Sequence, residues 1–297
     1  MVSPGILLVD KPGGLTSHDV VARTRRAFGT RKVGHAGTLD PMATGLLVIG
    51  IEGATRLLTY IVGADKTYTA TIRLGQRTST DDAEGDIIGT ADAEAWTGVT
   101  SAAIAHGIAA LTGAISQVPS SVSAIKVDGR RAYDRVRAGE EVQLAARQVT
   151  VSRFDILADR PGEGVRDLDV VVDCSSGTYI RALARDLGEA LDVGGHLTAL
   201  RRTRVGGFDL VDATALDDLA DAAPLTPADA ARRVMPVLEV TADEARDLRH
   251  GKRLHGAAAR LTAAEVAAID PDGELVGVLE ARGDDIKSAM NMPEVQR

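Results

Sequence analysis

The twelve residues from Gly34 to Gly45, G-H-A-G-T-L-D-P-M-A-T-G, constrain this 297-residue chain more than any other stretch. Asp40 is the one acidic residue between Arg31 and Ile51, and an apolar run at 46–49 follows the loop at once. Glycines allow close backbone turns, and Pro41 pushes Asp40 towards extended geometry. The pattern predicts a tight loop that presents a carboxylate just before a buried strand. From the spacing alone, an Asp-Pro turn is as good an interpretation as a catalytic acid.

Composition excludes several classes of protein. The hydrophobic content of 44% and the charged content of 26% are typical of a soluble globular protein with one large or two ordinary domains. The single cysteine, Cys174, rules out an internal disulfide and a multi-cysteine zinc site, and its apolar neighbours predict burial. We find no secretory signal and no stretch near the ~20 apolar residues of a membrane span, so we predict a cytoplasmic protein with no membrane partner.

The net charge of −8 argues on average against a nucleic-acid partner. The charges are unevenly distributed, however. Acidic residues cluster at 81–86 and 209–221, and basic residues cluster at 23–32, 126–137 and 201–204. If folding brings the basic groups to one face, RNA can bind locally; taken singly, each is a solvated surface. The acidic segment 81–86 has few apolar residues and is predicted to be a surface loop.

Periodicity predicts an alternation of strands and helices. Residues 66–74 alternate between apolar and polar side chains, which predicts a half-buried strand. Tyr68, near its start, is either a core residue, as strand aromatics usually are, or lies at an exposed edge. A capping box at 16–19 predicts the beginning of a helix that ends at Phe28. The Ala/Asp-rich segment from Leu210 to Pro227 is predicted to be a helical linker. Other strands are predicted at 6–9, 168–174, 238–240 and 275–279, and other helices at 56–62, 99–111, 182–191 and 242–248.

Two further segments carry candidate functional residues. Residues 123–133 predict a short strand, an Asp-Gly turn and a basic helix with Tyr133 on the same side as Arg130, which together form a small positive projection. Residues 175–181 join an apolar strand to a helix. That turn places Tyr179 and Arg181 at the edge of a sheet, where functional sites are commonly built.

Five separated motifs, in the same order between residues 6 and 204, resemble those of the TruB family of tRNA pseudouridine synthases. They are the Gly34–Gly45 loop, the strand tyrosine, S-A-I-K-x-x-G-x-x-A-Y at 123–133, G-T-Y-I-R at 177–181 and L-R-R at 200–202. The resemblance implies that Asp40 is the catalytic residue, that Tyr68 stacks on the target base and that Arg181 pairs with Asp40.

The resemblance also implies a set of substrate contacts. Tyr179 and Leu200 are expected to line the base pocket. His35, five residues before Asp40, is placed to fill the vacated base stack or to touch a phosphate, although a lone loop histidine is more often structural. Basic side chains are expected to contact phosphates or to belong to a thumb that closes over the RNA. These basic residues are Lys11, Lys126, Arg130, Arg131, Arg201 and Arg202.

The fold class implied is α/β with mixed α+β character: a pseudouridine-synthase-type central mixed sheet flanked by helices, followed by a small β-rich C-terminal domain that resembles the PUA type. We predict a catalytic domain at 1–209 with a thumb-like insertion at about 121–150. A linker at 210–234 and a C-terminal RNA-binding domain at 235–297 are predicted to follow.

The implied reaction converts uridine 55 in the T-arm of tRNA into pseudouridine by base flipping, with Asp40 as nucleophile or base. It requires no metal or nucleotide, and the sequence has no Walker A loop, dinucleotide-binding glycine pattern or H-E-x-x-H. We therefore expect tRNA as partner, no cofactor, no metal and a monomer. Two alternatives stay open: a noncatalytic RNA-binding or tRNA-folding protein on the same scaffold, and a pseudouridine synthase for another RNA.

Overall fold

The computed structural model describes residues 2–120, 126–127, 130–131 and 144–293, with the backbone alone at 126–127 and 130–131. The chain divides into two compact units. The first comprises Met1–Pro41, Gly45–Ala64 and Arg204–Arg297, and the second comprises Met42–Thr44 and Asp65–Thr203.

Helices and strands alternate along much of the described chain. The helices are α1 (Ser17–Phe28), α2 (Leu58–Val62), α3 (Ser101–Ala110), α4 (Ile180–Ala190), α5 (Pro227–Arg232) and α6 (Ala242–Arg249). The strands are β1 (Gly5–Lys11), β2 (Val33–Ala36), β3 (Thr44–Ile51), β4 (Lys66–Leu74), β5 (Gln76–Thr78), β6 (Ile87–Thr90), β7 (Gly113–Gln117), β8 (Lys126–Val127), β9 (Arg130–Arg131), β10 (Arg147–Pro161), β11 (Arg166–Cys174), β12 (Gly195–Val205), β13 (Phe208–Asp209), β14 (Thr214–Ala215), β15 (Val237–Glu239), β16 (Val266–Ile269), β17 (Leu275–Arg282) and β18 (Asp285–Asn291).

In the first unit, strand β1 pairs antiparallel with β3 and parallel with β14, and β2 pairs antiparallel with β3. The apolar run 46–49 lies in β3 and is fully buried. The predicted buried strand behind the Gly34–Gly45 loop is therefore confirmed, and the strand directions in this sheet are mixed.

Helix α1 begins and ends where the sequence predicts. The Thr16 hydroxyl accepts a hydrogen bond from the Asp19 N–H (3.1 Å), and the Asp19 carboxylate accepts one from the Thr16 N–H (2.8 Å). Gly29 ends the helix with a φ of 63°, in the left-handed region that glycine adopts without strain. These local interactions place α1 beside β2, where the Arg25 guanidinium donates to the Val33 carbonyl (3.2 Å).

The C-terminal part of the first unit contains a four-stranded sheet in the order β15-β16-β17-β18. Its buried side chains divide between two apolar clusters. One cluster, with Leu248, Val276 and Leu279 among its members, consists of C-terminal residues alone, and the other is shared with side chains of β1 and β3. The shared cluster includes Ile6, Leu8, Leu46, Val48, Ala267, Ile269, Leu275 and Val278. The domain boundary at residue 235 stays a prediction.

The helical prediction for residues 210–226 is wrong. Strand β14 lies there instead, between single 3-10 turns at Leu210–Asp212 and Leu216–Asp218, and pairs with β1. Leu225 and Ile6 also exchange two backbone hydrogen bonds of 2.9 and 2.8 Å. Partners on the sheet edge satisfy the backbone of this segment and override the helix propensity of its alanines.

The sheet of the second unit has the order β12-β4-β11-β10-β7. Strand β4 alternates as predicted, with Tyr68, Ala70, Ile72 and Leu74 buried and the intervening residues half-buried. The exposed-edge alternative for Tyr68 is wrong, because β4 lies between β12 and β11 and Tyr68 is 7% exposed. Helices predicted at 99–111 and 182–191 are confirmed as α3 and α4.

Residues 121–143 are described only at β8 and β9, which pair antiparallel. Arg130 and Arg131 thus lie in a strand, whereas the sequence predicts that the basic helix includes Arg130. Tyr133 lies outside the described residues. Elsewhere, no helix among the described residues is long and apolar enough to cross a membrane.

We predict that the C-terminal sheet cannot be removed without unfolding the first unit. Deleting residues 236–297 exposes several apolar side chains of the shared cluster, each worth about 1.5–3 kcal/mol of burial, against a total stability of roughly 5–15 kcal/mol. The truncated protein is expected to lose cooperative unfolding in urea. A chain shortened by 294–297 alone keeps the cluster and is the control. Wild-type cooperativity in the longer deletion would contradict the shared core.

Candidate active site

Asp40 follows β2 on a loop whose backbone is held on both sides of the carboxylate. The Ser17 hydroxyl in α1 accepts a hydrogen bond from the Leu39 N–H (2.9 Å) and donates one to the Leu39 carbonyl (3.2 Å). On the other side, the Pro41 carbonyl accepts from the Gly14 N–H (2.8 Å). Asp40 itself is half-buried. The loop therefore presents its carboxylate from a fixed backbone.

Lys11 holds the same loop from within the core. The residue is fully buried, and its ammonium group donates to the carbonyls of Pro12 (3.0 Å), Leu15 (2.7 Å) and Pro41 (3.2 Å). A buried charge requires such partners, because losing water around it costs several kcal/mol. The predicted phosphate contact would break these bonds, so this geometry gives Lys11 a part in positioning the loop.

His35 lies in β2 and is half-buried. Its ring meets the ring of His18, in the first turn of α1, edge to face, with 5.5 Å between centroids and an interplanar angle of 81°. Aromatic pairs prefer this arrangement. No sequence pattern distinguishes His18, because its contact depends on α1 lying against β2.

In the second unit, a turn joins β11 to α4 and carries Tyr179 and Arg181. Tyr179 is the residue immediately before α4. Its N–H donates to the Gln117 side-chain oxygen (2.8 Å), and its carbonyl accepts from the Gln117 amide nitrogen (3.1 Å). Gln117 ends β7 and is 2% exposed, so the turn is tied to the sheet by a buried side chain.

Arg181 is 3% exposed, and the second unit supplies acceptors for it. Its Nη1 atom donates to the Thr80 carbonyl (2.7 Å) and lies 3.3 Å from Oδ2 of Asp82. One turn later in α4, Arg185 lies 3.3 Å from the neighbouring acid, Asp81. Two arginines on one helix face thus pair with two consecutive acids.

The acidic segment 81–86 is predicted to be a surface loop, and Asp82 is its one buried residue. Asp82 is 2% exposed, and its Oδ1 atom accepts hydrogen bonds from the Thr80 hydroxyl (2.5 Å) and the Glu84 N–H (3.1 Å). A buried carboxylate is retained because it is hydrogen-bonded and ion-paired. Sequence reasoning missed Asp82, since nothing in the run D-D-A-E-G-D distinguishes the acid that points inwards.

Lys66 is buried two residues before Tyr68 on the same face of β4. Burial, with a further contribution from the positive charge of Arg202, lowers the pKa of Lys66 to about 8. Across the strand pair, burial raises the pKa of the Cys174 thiol to about 11. The predicted burial of Cys174 is confirmed at 1% exposure.

The L-R-R motif lies in β12, next to β4. Leu200 is 7% exposed and Arg202 is 1% exposed, so a phosphate contact by Arg202 would require its side chain to leave the core. Arg201 is half-buried and donates to the Thr44 hydroxyl (3.2 Å). The two arginines therefore differ in how far their side chains are accessible.

Some predicted site residues lie in different units, and the side chains of others lie outside the described part of the chain. Asp40 belongs to the first unit and Arg181 to the second, and their pairing stays a prediction. The side chains of Lys126, Arg130 and Arg131 lie outside the described residues. Within the described part of the chain, no group of three or more His, Cys, Asp and Glu side chains is arranged to hold a metal ion.

Comparisons with protein families cover nearly the whole chain. Residues 25–180 match the model described as TruB family pseudouridylate synthase (N terminal domain). Residues 181–239 match the tRNA pseudouridylate synthase B C-terminal domain, and residues 235–293 match tRNA Pseudouridine synthase II, C terminal.

Two similar curated proteins are both named tRNA pseudouridine synthase B. The protein from Leifsonia xyli subsp. xyli (strain CTCB07) is 61% identical over 295 residues, which cover 99% of this chain and 98% of the relative. The protein from Arthrobacter sp. (strain FB24) is 60% identical over 288 residues, covering 94% of this chain and 93% of the relative.

Solved structures with the same fold confirm the expected fold class. A structure of an H/ACA RNP bound to a substrate RNA containing 2'-deoxyuridine has a chain that is 25% identical, with a TM-score of 0.71 over 98% of this chain and 85% of that chain. A Cbf5-Nop10-Gar1 complex has a chain that is 26% identical, with a TM-score of 0.70 over 98% of this chain and 84% of that chain.

The buried ammonium of Lys66 predicts a specific pH dependence of stability. Its folded pKa of about 8 lies below the unfolded value of 10.5, so between these pH values the folded state binds fewer protons. The free energy of unfolding of the wild type, relative to Lys66→Met, should therefore rise with pH across this window, by on the order of 3 kcal/mol in total.

Urea unfolding at pH 7.5, 9.0 and 10.5 measures this difference. The raised pKa of Cys174 acts in the opposite direction above pH 9, but both proteins contain that thiol, so its contribution largely cancels. Lys32→Met, at an exposed lysine, is the matched control and should show no such rise. If the difference in unfolding free energy between the wild type and Lys66→Met did not change with pH, the burial penalty on Lys66 would be contradicted.

Proposed function

The chain belongs to the TruB family of pseudouridylate synthases, and from this premise we propose that it converts uridine 55 in the T-arm of tRNA into pseudouridine. The structural observation that carries the proposal is the construction around Asp40. Its half-buried carboxylate follows Leu39, which is bonded to Ser17, and precedes Pro41, which is bonded to Lys11 and Gly14. A reacting group held this way loses little freedom when it meets substrate.

The proposed reaction breaks the bond between N1 of uracil and C1′ of the ribose and forms a bond between C5 and C1′. A proton leaves C5 and N1 gains one, so the reaction is an isomerisation with no net change in composition. Asp40 acts ionised, either as a nucleophile towards C6 or C1′ or as a base towards a sugar proton. The uridine is flipped out of the RNA before reaction, at a cost of a few kcal/mol.

Tyr68, Tyr179 and Leu200 are the proposed walls of the uracil pocket. Stacking on an aromatic ring contributes roughly 1–3 kcal/mol per base, which offsets much of the flipping cost. We also propose that the Tyr68 hydroxyl takes part in proton transfer. All three side chains come from the second unit, and β4 supplies Tyr68 from a central, rigid position.

Arg181 is the proposed electrostatic partner of Asp40. Paired N–H donors of a guanidinium hold a carboxylate in one orientation, which would keep it aimed at the substrate. The bond from Arg181 to Asp82 supports this role, because a guanidinium has five N–H groups and one buried acid fixes its orientation for a second. Asp82 is then a positioning residue for Arg181.

RNA binding is proposed to use basic side chains from several parts of the chain. Arg201, with its half-buried side chain, and the segment 121–150 with Lys126, Arg130 and Arg131 are assigned to the tRNA backbone. The C-terminal domain at 235–297 is proposed as a further RNA contact, and His35 as the group that fills the vacated base stack. We further propose that the protein acts in the cytoplasm as a monomer.

Replacing Asp40 by Asn should abolish the reaction while leaving RNA binding intact. The amide cannot act as nucleophile or base, so pseudouridine formation in tRNA should fall by roughly 10³-fold or more. Mass-spectrometric mapping of product in tRNA measures the activity, and filter binding measures the affinity, which should stay within about threefold of the wild type. Asp217→Asn, at a side chain that is 94% exposed, is the matched control.

The same assay separates the alternatives. Full activity in Asp40→Asn would remove Asp40 from the chemistry. Binding without product in the wild type would indicate the noncatalytic RNA-binding alternative. Product in another RNA, with none at position 55 of tRNA, would indicate a pseudouridine synthase of different specificity.

A further inference from the structure

Gln117 has a buried side chain that forms two hydrogen bonds with the backbone of a single residue, Tyr179. Its amide nitrogen donates to the Tyr179 carbonyl (3.1 Å) and its amide oxygen accepts from the Tyr179 N–H (2.8 Å). With 2% of its surface exposed, Gln117 is screened from competing water. The Gln117 side chain thus pairs with the backbone N–H and carbonyl of Tyr179, as a residue of a neighbouring strand would.

A glutamine is well suited to this place. A primary amide carries an N–H donor beside its carbonyl acceptor, so it bonds to both backbone groups of Tyr179. The Tyr179 carbonyl also accepts from the Leu183 N–H (3.2 Å), but Tyr179 lies just before α4, so the helix supplies no partner for its N–H. Two bonds to one residue restrain its orientation as well as its position.

The restraint reaches further than Tyr179. Arg185, in the second turn of α4, donates from Nη2 to the Val118 carbonyl (2.8 Å). The consecutive residues Gln117 and Val118 therefore hold both the start and the second turn of α4. Arg181 lies between these two points and is buried against Asp82.

We propose that Gln117 is a positioning residue of the pseudouridylation site, acting through the backbone of Tyr179 to set the side chains of Tyr179 and Arg181. The proposal rests on the function proposed above, because it needs those two side chains to meet the substrate. Gln117 itself touches no reacting atom. Its effect is on the rate of the chemical step rather than on RNA affinity, since a misplacement of about 1 Å at a reactive group costs up to 10²-fold in rate.

The experiment uses the full-length protein and a tRNA substrate transcript. Gln117→Met keeps the length of the side chain and removes both hydrogen bonds. We expect kcat to fall by about 10- to 100-fold while KM for tRNA changes by less than about threefold. Thermal unfolding identifies a temperature at which the variant is fully folded, and the rates are measured there.

Gln117→Glu provides a readout that a loss of stability would not imitate. At high pH the introduced carboxylate accepts from the Tyr179 N–H but has no proton for the Tyr179 carbonyl. When the pH falls, the carboxyl group gains an O–H donor, and burial raises its pKa so that this happens in an accessible range. The ratio of kcat in the variant to kcat in the wild type should therefore rise about threefold or more between pH 8.5 and pH 6.

Phe154→Leu is the matched control, because it removes buried volume on β10 in the same unit without removing a bond to the turn. It should lower stability and leave kcat within about twofold of the wild type. The inference is overturned if Gln117→Met keeps the wild-type kcat, if its loss is confined to KM, or if Phe154→Leu loses as much kcat at equal stability. Failure of the wild type to form pseudouridine in tRNA would instead overturn the proposed function.

Discussion

A guanidinium removed from water must be matched by acceptors, and the start of α4 is built around this requirement. Arg181 donates from Nη1 to the Thr80 carbonyl and pairs with Asp82, which is itself held by hydrogen bonds from its own loop. Removing one partner of such a pair leaves an uncompensated buried charge, which costs roughly 3–5 kcal/mol. The loop 80–84 is therefore fixed relative to α4 by the two contacts of Arg181 and, one turn later, by the pair of Arg185 with Asp81.

The first unit uses a buried cation in the same way. The Lys11 ammonium replaces its hydration with three backbone carbonyls, one of which belongs to Pro41, next to Asp40. Because these three acceptors are backbone carbonyls, Lys11 constrains the loop without the help of a second carboxylate beside Asp40. In both units, polar side chains hold the backbone beside a candidate reactive group. Catalysis requires reactive groups to be held in a defined geometry.

Burial of charge also has an energetic consequence on the Tyr68 face of β4. Lys66 and Arg202 are both inside the second unit, and the lowered pKa of Lys66 reflects the cost of keeping its charge there. Apolar residues at these two positions would make the folded state more stable, because burying a charge costs free energy even when the charge is paired. If this face receives RNA, as proposed above, fixed positive charge there gives a physical reason for tolerating the cost.

The sequence by itself determined the features that depend on near neighbours along the chain. The capping box and Gly29 set the ends of α1, alternation set the buried face of β4, and the apolar run 46–49 set the strand behind the Asp40 loop. The motifs around Asp40, Tyr68 and Arg181 also sufficed to identify the family. Each of these follows from local geometry or from residue identity, which the order of amino acids contains directly.

Only the tertiary structure decided which polar side chains point inwards and what they meet. Gln117 and Tyr179 are 62 residues apart, and Arg181 is 101 residues from its acceptor at Thr80. Asp82 looks like its acidic neighbours, Lys11 looks like an exposed lysine, and only the strand order places Tyr68 in the middle of a sheet rather than at an edge. The physical reason is that burial and hydrogen bonding depend on which distant segments pack together, and no local pattern in the chain specifies that.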